Sequence, residues 1–201
     1  MYTKLFSLLY LSSTHRSQLR ERGLSDDVID QNGYKSVPAF GYRKLVAQLL
    51  EMNCVIEGVP GFYMEADEWT INFRADRSGI LIPVRSLEGK LVGVQIRLDQ
   101  AKKQKYLWLS SINYEKGTGS GSPIHFVGNP YDKTIYFTEG PLKGDVAHHL
   151  SGRSFACVPG ANQYTNLVEL LIKIKNNGTE ICMESYDIDK FTNEYVMKGV
   201  R

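Results

Sequence analysis

The chain has 201 residues, which is long enough to bury a hydrophobic core without disulfides or structural metals. Hydrophobic residues make up 42% of it and charged residues 23%, as in an ordinary globular protein rather than a disordered one. The formal net charge is only +2, so the overall charge identifies neither nucleic acid nor any other partner.

The number of cysteines and the length of the apolar runs indicate in which compartment of the cell the protein is expected. The three cysteines, Cys54, Cys157 and Cys182, are odd in number and too far apart for a CxxC site, so we expect free thiols. No apolar run approaches the ~18 residues of a membrane-spanning helix. Both features favour a protein of the reducing cytoplasm that does not bind membranes.

The first part of the chain, residues 1–78, is predicted to be a helical N-terminal region. Capping serines and closing glycines delimit two short helices, one ending at Gly23 and one running from Ser25 to Gly33. A third, amphipathic helix covers Tyr42 to Met52. The first two helices could form a DNA-reading helix-turn-helix, but no clear recognition helix follows, which favours a packing role.

Residues 79–130 are predicted to form a subdomain of antiparallel strands. The segment GILIPVRSLEGKLVGVQIRL indicates two strands joined by a turn at Glu88-Gly89, and KYLWLSS indicates a third strand. The basic run RLDQAKKQK, from Arg97 to Lys105, is typical either of a solvated face or of a surface that contacts nucleic acid. Tyr106 and Trp108 follow it and suit either base stacking or core packing.

Strands and helices alternate over residues 131–201, which predicts a parallel sheet with right-handed crossovers. The strands are TIYFTEG, RSFACVPG and TEICMESYD, and the helices between them are PLKGDVAHHLSG and YTNLVELLIKIKNNG. The predicted fold class is therefore α/β, with a parallel sheet flanked by helices, preceded by an α+β part of helices and antiparallel strands.

Three carboxylates stand where the predicted strands end. Glu139 ends one strand, and Asp187 and Asp189 follow another with a spacing of two, which points side chains to one side of an extended chain. Because ligands bind at the carboxyl ends of parallel strands, we expect these acids to converge. Their repulsion favours a divalent cation, and all-oxygen ligation favours Mg²⁺ or Mn²⁺. The alternative is that they cap turns and helices of an unrelated α/β domain.

Together these motifs resemble the Toprim domain, the metal-binding module of bacterial primases, topoisomerases and related nucleases. The resemblance rests on the strand into Glu139-Gly140, the strand into Pro159-Gly160 and the strand into Asp187-x-Asp189, in that order. It implies a Toprim-like domain over residues 131–201, in which Glu139, Asp187 and Asp189 are the catalytic residues and bind one or two Mg²⁺ or Mn²⁺ ions.

The segment before this domain resembles the corresponding part of bacterial replicative primases. The Toprim-like primase domain of phages and mobile genetic elements is the most similar type, with TEGPLKGDVAHHLSG as the most typical segment. The resemblance implies that Arg97 and Lys105 face a single-stranded template, and Lys102 and Lys103 would extend the same track along its backbone.

The chain departs from the bacterial primase pattern at two places that matter for function. Lys143 stands where those primases carry an acid, and we expect it to contact a phosphate instead. The chain ends twelve residues after Asp189, so the Toprim-like domain is expected to be truncated at its C-terminus.

Two functions from different classes follow. The first is a primase-like enzyme that performs Mg²⁺-dependent nucleotidyl transfer, with single-stranded DNA and nucleotides as partners and a helicase as the expected protein partner. The second is a non-catalytic, metal-binding interaction protein that inhibits a host nucleic-acid enzyme, such as a defence nuclease. The complete acidic triad favours the enzyme, whereas the near-neutral charge and the short C-terminal part favour the inhibitor.

Overall fold

The computed structural model of the chain describes residues 1–73, 78–100, 104–159 and 166–186. The helices in this part are α1 (Tyr2–Ser7), α2 (Ser13–Arg20), α3 (Asp26–Asn32), α4 (Tyr42–Glu51), α5 (Pro141–Ser151) and α6 (Leu167–Asn176). The strands are β1 (Lys35–Ser36), β2 (Phe62–Glu65), β3 (Glu68–Ile71), β4 (Gly79–Arg85), β5 (Leu91–Leu98), β6 (Tyr106–Trp108), β7 (His125–Val127), β8 (Thr134–Glu139), β9 (Ser154–Val158) and β10 (Ile181–Glu184).

The chain divides into two compact units. The first contains Met1–Pro83 and Gly93–Gly121, and the second contains Val84–Val92 and Ser122–Arg201. The three-part division expected from the sequence stays a prediction. In the described part of the chain, no helix has the length and hydrophobicity needed to cross a lipid bilayer.

Three helices of the first unit, α2, α3 and α4, form where the sequence predicts helices, whereas α1 was not predicted. The N–H of His15 donates to the Oγ of Ser12 at 3.2 Å, and this bond caps the start of α2. Gly33 ends α3 in the left-handed conformation, at φ 78°. α4 packs an apolar stripe into the core, formed by Leu45, Val46 and Leu49.

A four-stranded sheet has the order β1-β4-β5-β6, and the first unit contains β1, β6 and most of β4 and β5. β1 pairs antiparallel with β4, and β6 pairs antiparallel with β5. The strand pair β4–β5 lies where the sequence predicts it, and Gly89 in its turn has φ 74°. A Cβ on Gly79 would come within 2.4 Å of the carbonyl oxygen of Arg97, so glycine is required for the close approach of β4 to β5.

The region before Gly79 also contains strands that the sequence pattern did not predict. β2 and β3 form an antiparallel hairpin, and its turn residues Ala66 and Asp67 have φ of 50° and 61°. Hairpin turns with positive φ are normally signalled by Asn-Gly or Asp-Gly, and this turn contains no glycine. β1 has only two residues, too few to produce an alternating pattern.

The second unit contains a sheet with the order β10-β8-β9-β7. β8 pairs in parallel with both β9 and β10, and β7 pairs antiparallel with β9. The predicted parallel sheet flanked by helices is therefore confirmed, while the antiparallel β7 was not predicted. Gly152 ends α5 at φ 69°, at the position where the sequence indicates the end of that helix.

One face of this sheet is apolar. Phe126, Ala156 and Phe137 are register neighbours across β7, β9 and β8. All three belong to a buried hydrophobic cluster that also contains Leu170 and Ile174 of α6. α6 therefore covers this face, as its apolar spacing predicts.

The opposite face carries a polar row. His125 on β7, Cys157 on β9 and Thr138 on β8 are register neighbours, and each is at most 2% exposed. α5 covers this row, because a Cβ on Gly144 would lie 2.0 Å from the Sγ of Cys157. Glycine at this position lets the helix lie directly against the sheet.

Candidate metal-binding edge and nucleic-acid surface

Glu139, the partly buried last residue of β8, lies at the carboxyl edge of the parallel sheet. Gly140 then turns the chain with φ 72° and ψ 139°, a conformation that is costly for any residue with a Cβ. Its N–H donates to the carbonyl oxygen of Val158 at 2.9 Å. Among the described residues, no atom lies within 4 Å of where a Cβ would be. The backbone turn therefore requires the glycine, and the space beside it is open.

β10 runs parallel to β8 and ends at the same edge of the sheet. Glu184 is the register partner of Phe137, and the N–H of Ser185 donates to the carbonyl oxygen of Phe137 at 2.7 Å. The other two predicted metal ligands, Asp187 and Asp189, lie outside the described residues. In the sequence they follow Glu184 by three and five positions.

The donor chemistry at this edge fits a hard divalent cation. Glu139 offers carboxylate oxygens, the donors that Mg²⁺ and Mn²⁺ prefer. The strand that precedes Asp187 and Asp189 runs parallel to β8, toward the same edge. Within residues 1–73, 78–100, 104–159 and 166–186, no group of three His, Cys, Asp or Glu side chains is placed to hold a metal. The metal-binding role of the triad stays a prediction.

The first turn of α5 follows Glu139-Gly140 directly and has one favourable feature of a helix start, a proline, but lacks two others. Gly140 provides no side-chain cap, Pro141 occupies the first helical position, and no acidic residue lies in this turn. Lys143 lies there instead and is partly exposed. Its charge adds to the positive end of the helix dipole, so a phosphate approaching this turn would be attracted by both.

A buried histidine–aspartate pair lies between α5 and β7. The N–H of Arg85 donates to Nδ1 of His125 at 3.0 Å, so the ring proton is on Nε2, which donates to Oδ1 of Asp145 at 2.9 Å. The two side chains are 2% and 5% exposed. Burial, and secondarily the Asp145 carboxylate, raises the pKa of the Cys157 thiol, which is therefore neutral. Sequence reasoning missed this pair because its members are 20 positions apart and belong to no common motif.

In the first unit, β5 and β6 bring a cation and two aromatic side chains onto one side of the sheet. Arg97 is the register partner of Tyr106, and Gln95 is the register partner of Trp108. Because register partners point to the same side, these four residues share one side of the sheet, which we call the β5–β6 face, and Gln95 is buried on it. Ile96 points to the other side and is buried. This arrangement favours a surface role for Tyr106, which is 37% exposed.

The guanidinium of Arg97 is oriented by α2. Its Nη1 donates to Oε1 of Gln18 at 2.7 Å. Within the described part of the chain, the Nε of Arg97 and the Oε1 of Gln95 are buried without a hydrogen-bond partner. Buried polar atoms in this state are uncommon, and these two belong to neighbouring positions of the β5–β6 face. Gln18 and Gln95 are two residues of this surface that the sequence did not identify.

The lysines of the basic run differ in how the structure places them. Lys105 is exposed immediately before β6, and its carbonyl oxygen accepts a hydrogen bond from the N–H of Leu98 at 2.9 Å. This bond continues the pairing of β5 and β6 and holds Lys105 next to the β5–β6 face. Lys102 and Lys103 lie outside the described residues, and their contact with a template stays a prediction.

A second buried histidine joins α2 to the end of β5. The Nε2 of His15 donates to the carboxylate of Asp99 at 3.0 Å, and its Nδ1 lies 2.7 Å from the Oγ of Ser36. Partial burial acts to raise the pKa of Asp99, but hydrogen bonds from Ser78 and His15 outweigh it and lower that pKa. The same helix thus bonds to β5 through His15 and to Arg97 through Gln18.

Sequence comparison and structural comparison give different results. The amino-acid sequence matches no protein-family model, and no curated protein matches it. The structure, however, is similar to solved bacterial primases. The RNA polymerase domain of Mycobacterium tuberculosis primase DnaG has a TM-score of 0.65 at 18% identity, covering 92% of this chain and 66% of that one.

Two further primases agree with this result. The zinc-binding and RNA polymerase domains of Aquifex aeolicus primase have a TM-score of 0.61 at 15% identity, covering 99% of this chain and 58% of that one. A DnaG primase catalytic domain bound to single-stranded DNA has a TM-score of 0.61 at 20% identity, with coverages of 94% and 63%.

The chain spans between 58% and 66% of the length of these three proteins. At 15–20% identity, the likeness establishes the fold and not the activity. The chain has the mixed α/β fold of bacterial primase catalytic cores, with a mostly parallel sheet flanked by helices.

Proposed function

We propose that the chain is a primase-like protein of the phage and mobile-element type, which binds single-stranded DNA and performs metal-dependent nucleotidyl transfer on it. The observation that carries this proposal is the β5–β6 face, where Arg97 lies opposite Tyr106 and on the same side as Trp108, in a chain with the primase fold. One solved neighbour, a DnaG primase catalytic domain, is bound to single-stranded DNA.

The β5–β6 face has the chemistry that a single strand requires. Tyr106 and Trp108 provide flat rings on which bases of any sequence can stack. Arg97 provides positive charge on this face for the phosphates beside those bases, and Lys105, which precedes Tyr106 and alternates to the other side of the strand, adds charge beside the face. The buried Nε of Arg97 and Oε1 of Gln95 have no hydrogen-bond partner among the described residues, so they lie beneath the proposed strand site and not in it.

The carboxyl edge of the parallel sheet would provide the reaction centre. Glu139 together with Asp187 and Asp189 would hold one or two Mg²⁺ or Mn²⁺ ions, which neutralise charge on a nucleotide triphosphate and activate the attacking hydroxyl. Lys143 and the uncapped start of α5 would contact a phosphate oxygen and so orient the triphosphate. The three carboxylates would therefore bind the metal, and Lys143 would bind the phosphate.

The first experiment measures binding of a fluorescent oligothymidylate over a series of salt concentrations. We expect Arg97→Met and Lys105→Met each to lower the log–log salt slope by about 0.7, because each removes one phosphate contact. Tyr106→Leu should weaken binding at every salt concentration without changing that slope, because it removes stacking and no charge. Arg43→Met is the matched control, since Arg43 is an exposed cation of the same unit that pairs with Glu68.

The second experiment tests catalysis with template, nucleotides and Mg²⁺ or Mn²⁺. The wild-type chain should produce short primers, and Glu139→Gln should abolish them while leaving oligothymidylate binding unchanged.

Two outcomes would contradict the proposal. Binding that is lost equally in Arg43→Met and Arg97→Met would contradict the β5–β6 face as the strand site. Strand binding and metal binding without any primers would contradict nucleotidyl transfer.

A further inference from the structure

The start of α5 is held weakly by the helix itself. It has no side-chain cap and no acidic residue in its first turn, although Pro141 at the first helical position costs it no hydrogen bond. The N–H of Gly144 reaches the carbonyl oxygen of Gly140 at 3.3 Å, whereas at the other end of α5 the N–H of Gly152 reaches His148 at 2.7 Å. Contacts with the sheet must therefore determine how this first turn lies.

Two contacts beneath the turn are available, and they differ in kind. Gly144 lies against the Sγ of Cys157, a neutral apolar contact that limits how close the helix comes. Asp145 accepts the Nε2 proton of His125, and that ring is itself oriented by the N–H of Arg85. Because a hydrogen bond is directional, the second contact constrains the rotation of α5 about its axis more narrowly than the packing of Gly144 and of the buried Pro141 and Leu142.

Rotation of the helix determines where Lys143 points. An α-helix turns about 100° per residue, so Lys143, two residues before Asp145, lies about 200° around the axis from it. With Asp145 facing the sheet, Lys143 faces away from it, in agreement with the burial of Asp145 and the partial exposure of Lys143.

We propose that the buried pair of His125 and Asp145 is a positioning device for the first turn of α5, which sets the direction of Lys143 beside the sheet edge at Glu139. His125 and Asp145 touch neither metal nor nucleotide and act through Lys143. The positioning stands on the contacts within the second unit, and only the identification of the ligand of Lys143 as a triphosphate rests on the proposed function.

Two substitutions of His125 separate its two hydrogen bonds. His125→Gln places an amide N–H close to the position of Nε2 and keeps the donor to Asp145, whereas His125→Asn places an amide oxygen close to Nδ1 and keeps only the acceptor for Arg85. If the pair positions the helix start, amide hydrogen exchange at Gly144 and Asp145 should accelerate at least tenfold in His125→Asn. It should stay within about threefold of wild type in His125→Gln.

The exchange rate at Gly152 is the internal control, because this amide reports on the far end of the same helix. Equal acceleration at Gly144 and Gly152, or equal exchange in the Asn and Gln variants, would overturn the proposal and leave His125 as a packing residue. Asp145→Asn keeps an acceptor oxygen and should resemble His125→Gln, whereas Asp145→Ala removes the acceptor, should resemble His125→Asn, and provides the same test where the Asn variant at His125 does not fold.

A kinetic measurement on the full chain connects the pair to the proposed function. His125→Asn should raise the nucleotide KM several-fold and lower kcat less, since a phosphate contact contributes to binding before and during reaction. His125→Gln should restore the wild-type KM. An unchanged KM in His125→Asn together with accelerated exchange would overturn the link to Lys143. A wild-type chain without primer synthesis would contradict the proposed function, while the exchange measurement still decides the positioning.

Discussion

A single hydrogen-bonded carboxylate, Asp99, is expected to contribute to the stability of this protein. Asp99 accepts a hydrogen bond from His15, and the histidine is 5% exposed while the aspartate reaches solvent. Hydrogen bonds from Ser78 and His15 overcome the effect of partial burial and lower the pKa of the Asp99 carboxyl below its ordinary value. A group whose pKa is lower in the folded state stabilises the protein when it is ionised.

Asp99→Asn should therefore lower the free energy of unfolding at neutral pH, by about 1 kcal/mol for a partly exposed group with a hydrogen-bonded partner. The contribution of Asp99 is fully present above the ordinary carboxyl pKa of ~3.9 and is lost as the pH falls through its lower folded value. Urea unfolding of wild type and variant between pH 7 and pH 3 checks this. A difference that stays constant over the whole range would show that charge is not involved.

At the scale of elements, the packing of α5 on the sheet depends on one glycine. Gly144→Ala would bring a methyl group to 2.0 Å from the Sγ of Cys157, so helix and strand must separate. We expect a loss of about 1–3 kcal/mol in the free energy of unfolding, despite the better helix propensity of alanine. Cys157→Ala removes the colliding sulfur, and the double variant should recover most of that loss.

A double-mutant cycle measured by urea unfolding provides the check for this element. The two substitutions should be strongly non-additive, because their side chains are in contact. If the losses in Gly144→Ala and Cys157→Ala simply add, α5 is not held at this distance by Gly144. The same cycle also shows whether the neutral thiol of Cys157 contributes anything beyond its volume.

At the scale of the whole molecule, the proposed metal site predicts a stability that depends on divalent cations. A ligand that binds only the folded chain adds RT ln(1 + [L]/Kd), about 2.7 kcal/mol at a hundred times its Kd. Millimolar Mg²⁺ or Mn²⁺ should therefore raise the Tm by several degrees, and EDTA should reverse the increase. The double variant Asp187→Asn, Asp189→Asn should lose this response, because two ligand charges are removed.

Without metal, the same double variant should be at least as stable as the wild type, since the repulsion between carboxylates is relieved. Glu180, which pairs with Lys133, provides a control at the other end of the sheet. Glu180→Gln removes an exposed acid and should leave the metal response unchanged. A full increase of Tm with metal in the double variant would mean that the cation binds elsewhere.

Several features of the fold were predictable because they are local in the sequence. The run into Glu139-Gly140, the amphipathic spacing of α6 and the glycine after α5 each depend on residues within one or two turns of each other. The two strands around Glu88-Gly89 follow from the same kind of signal. Alternation of strands and helices then predicts the parallel sheet, because right-handed crossovers leave few other topologies.

Other features were decided only by the tertiary structure. Gln18 and Arg97 are 79 positions apart, and His15 and Asp99 are 84 apart, so no sequence pattern connects them. The turn at Ala66 and Asp67 adopts positive φ without a glycine to signal it. The exposure of Tyr106, which is 37%, was also decided by the tertiary structure, and its role in base stacking stays a prediction.

By itself, the sequence determined the alternation of strands and helices from β8 to β10, the strand that ends at Glu139 and the parallel pairing of those strands, because each depends on short-range periodicity and chain connectivity. The tertiary structure alone decided that His125 and Asp145 meet beneath α5 and that Arg97 shares a face with Tyr106. Such pairs form when packing brings distant segments together, and their energy depends on burial and geometry, which a linear sequence does not contain.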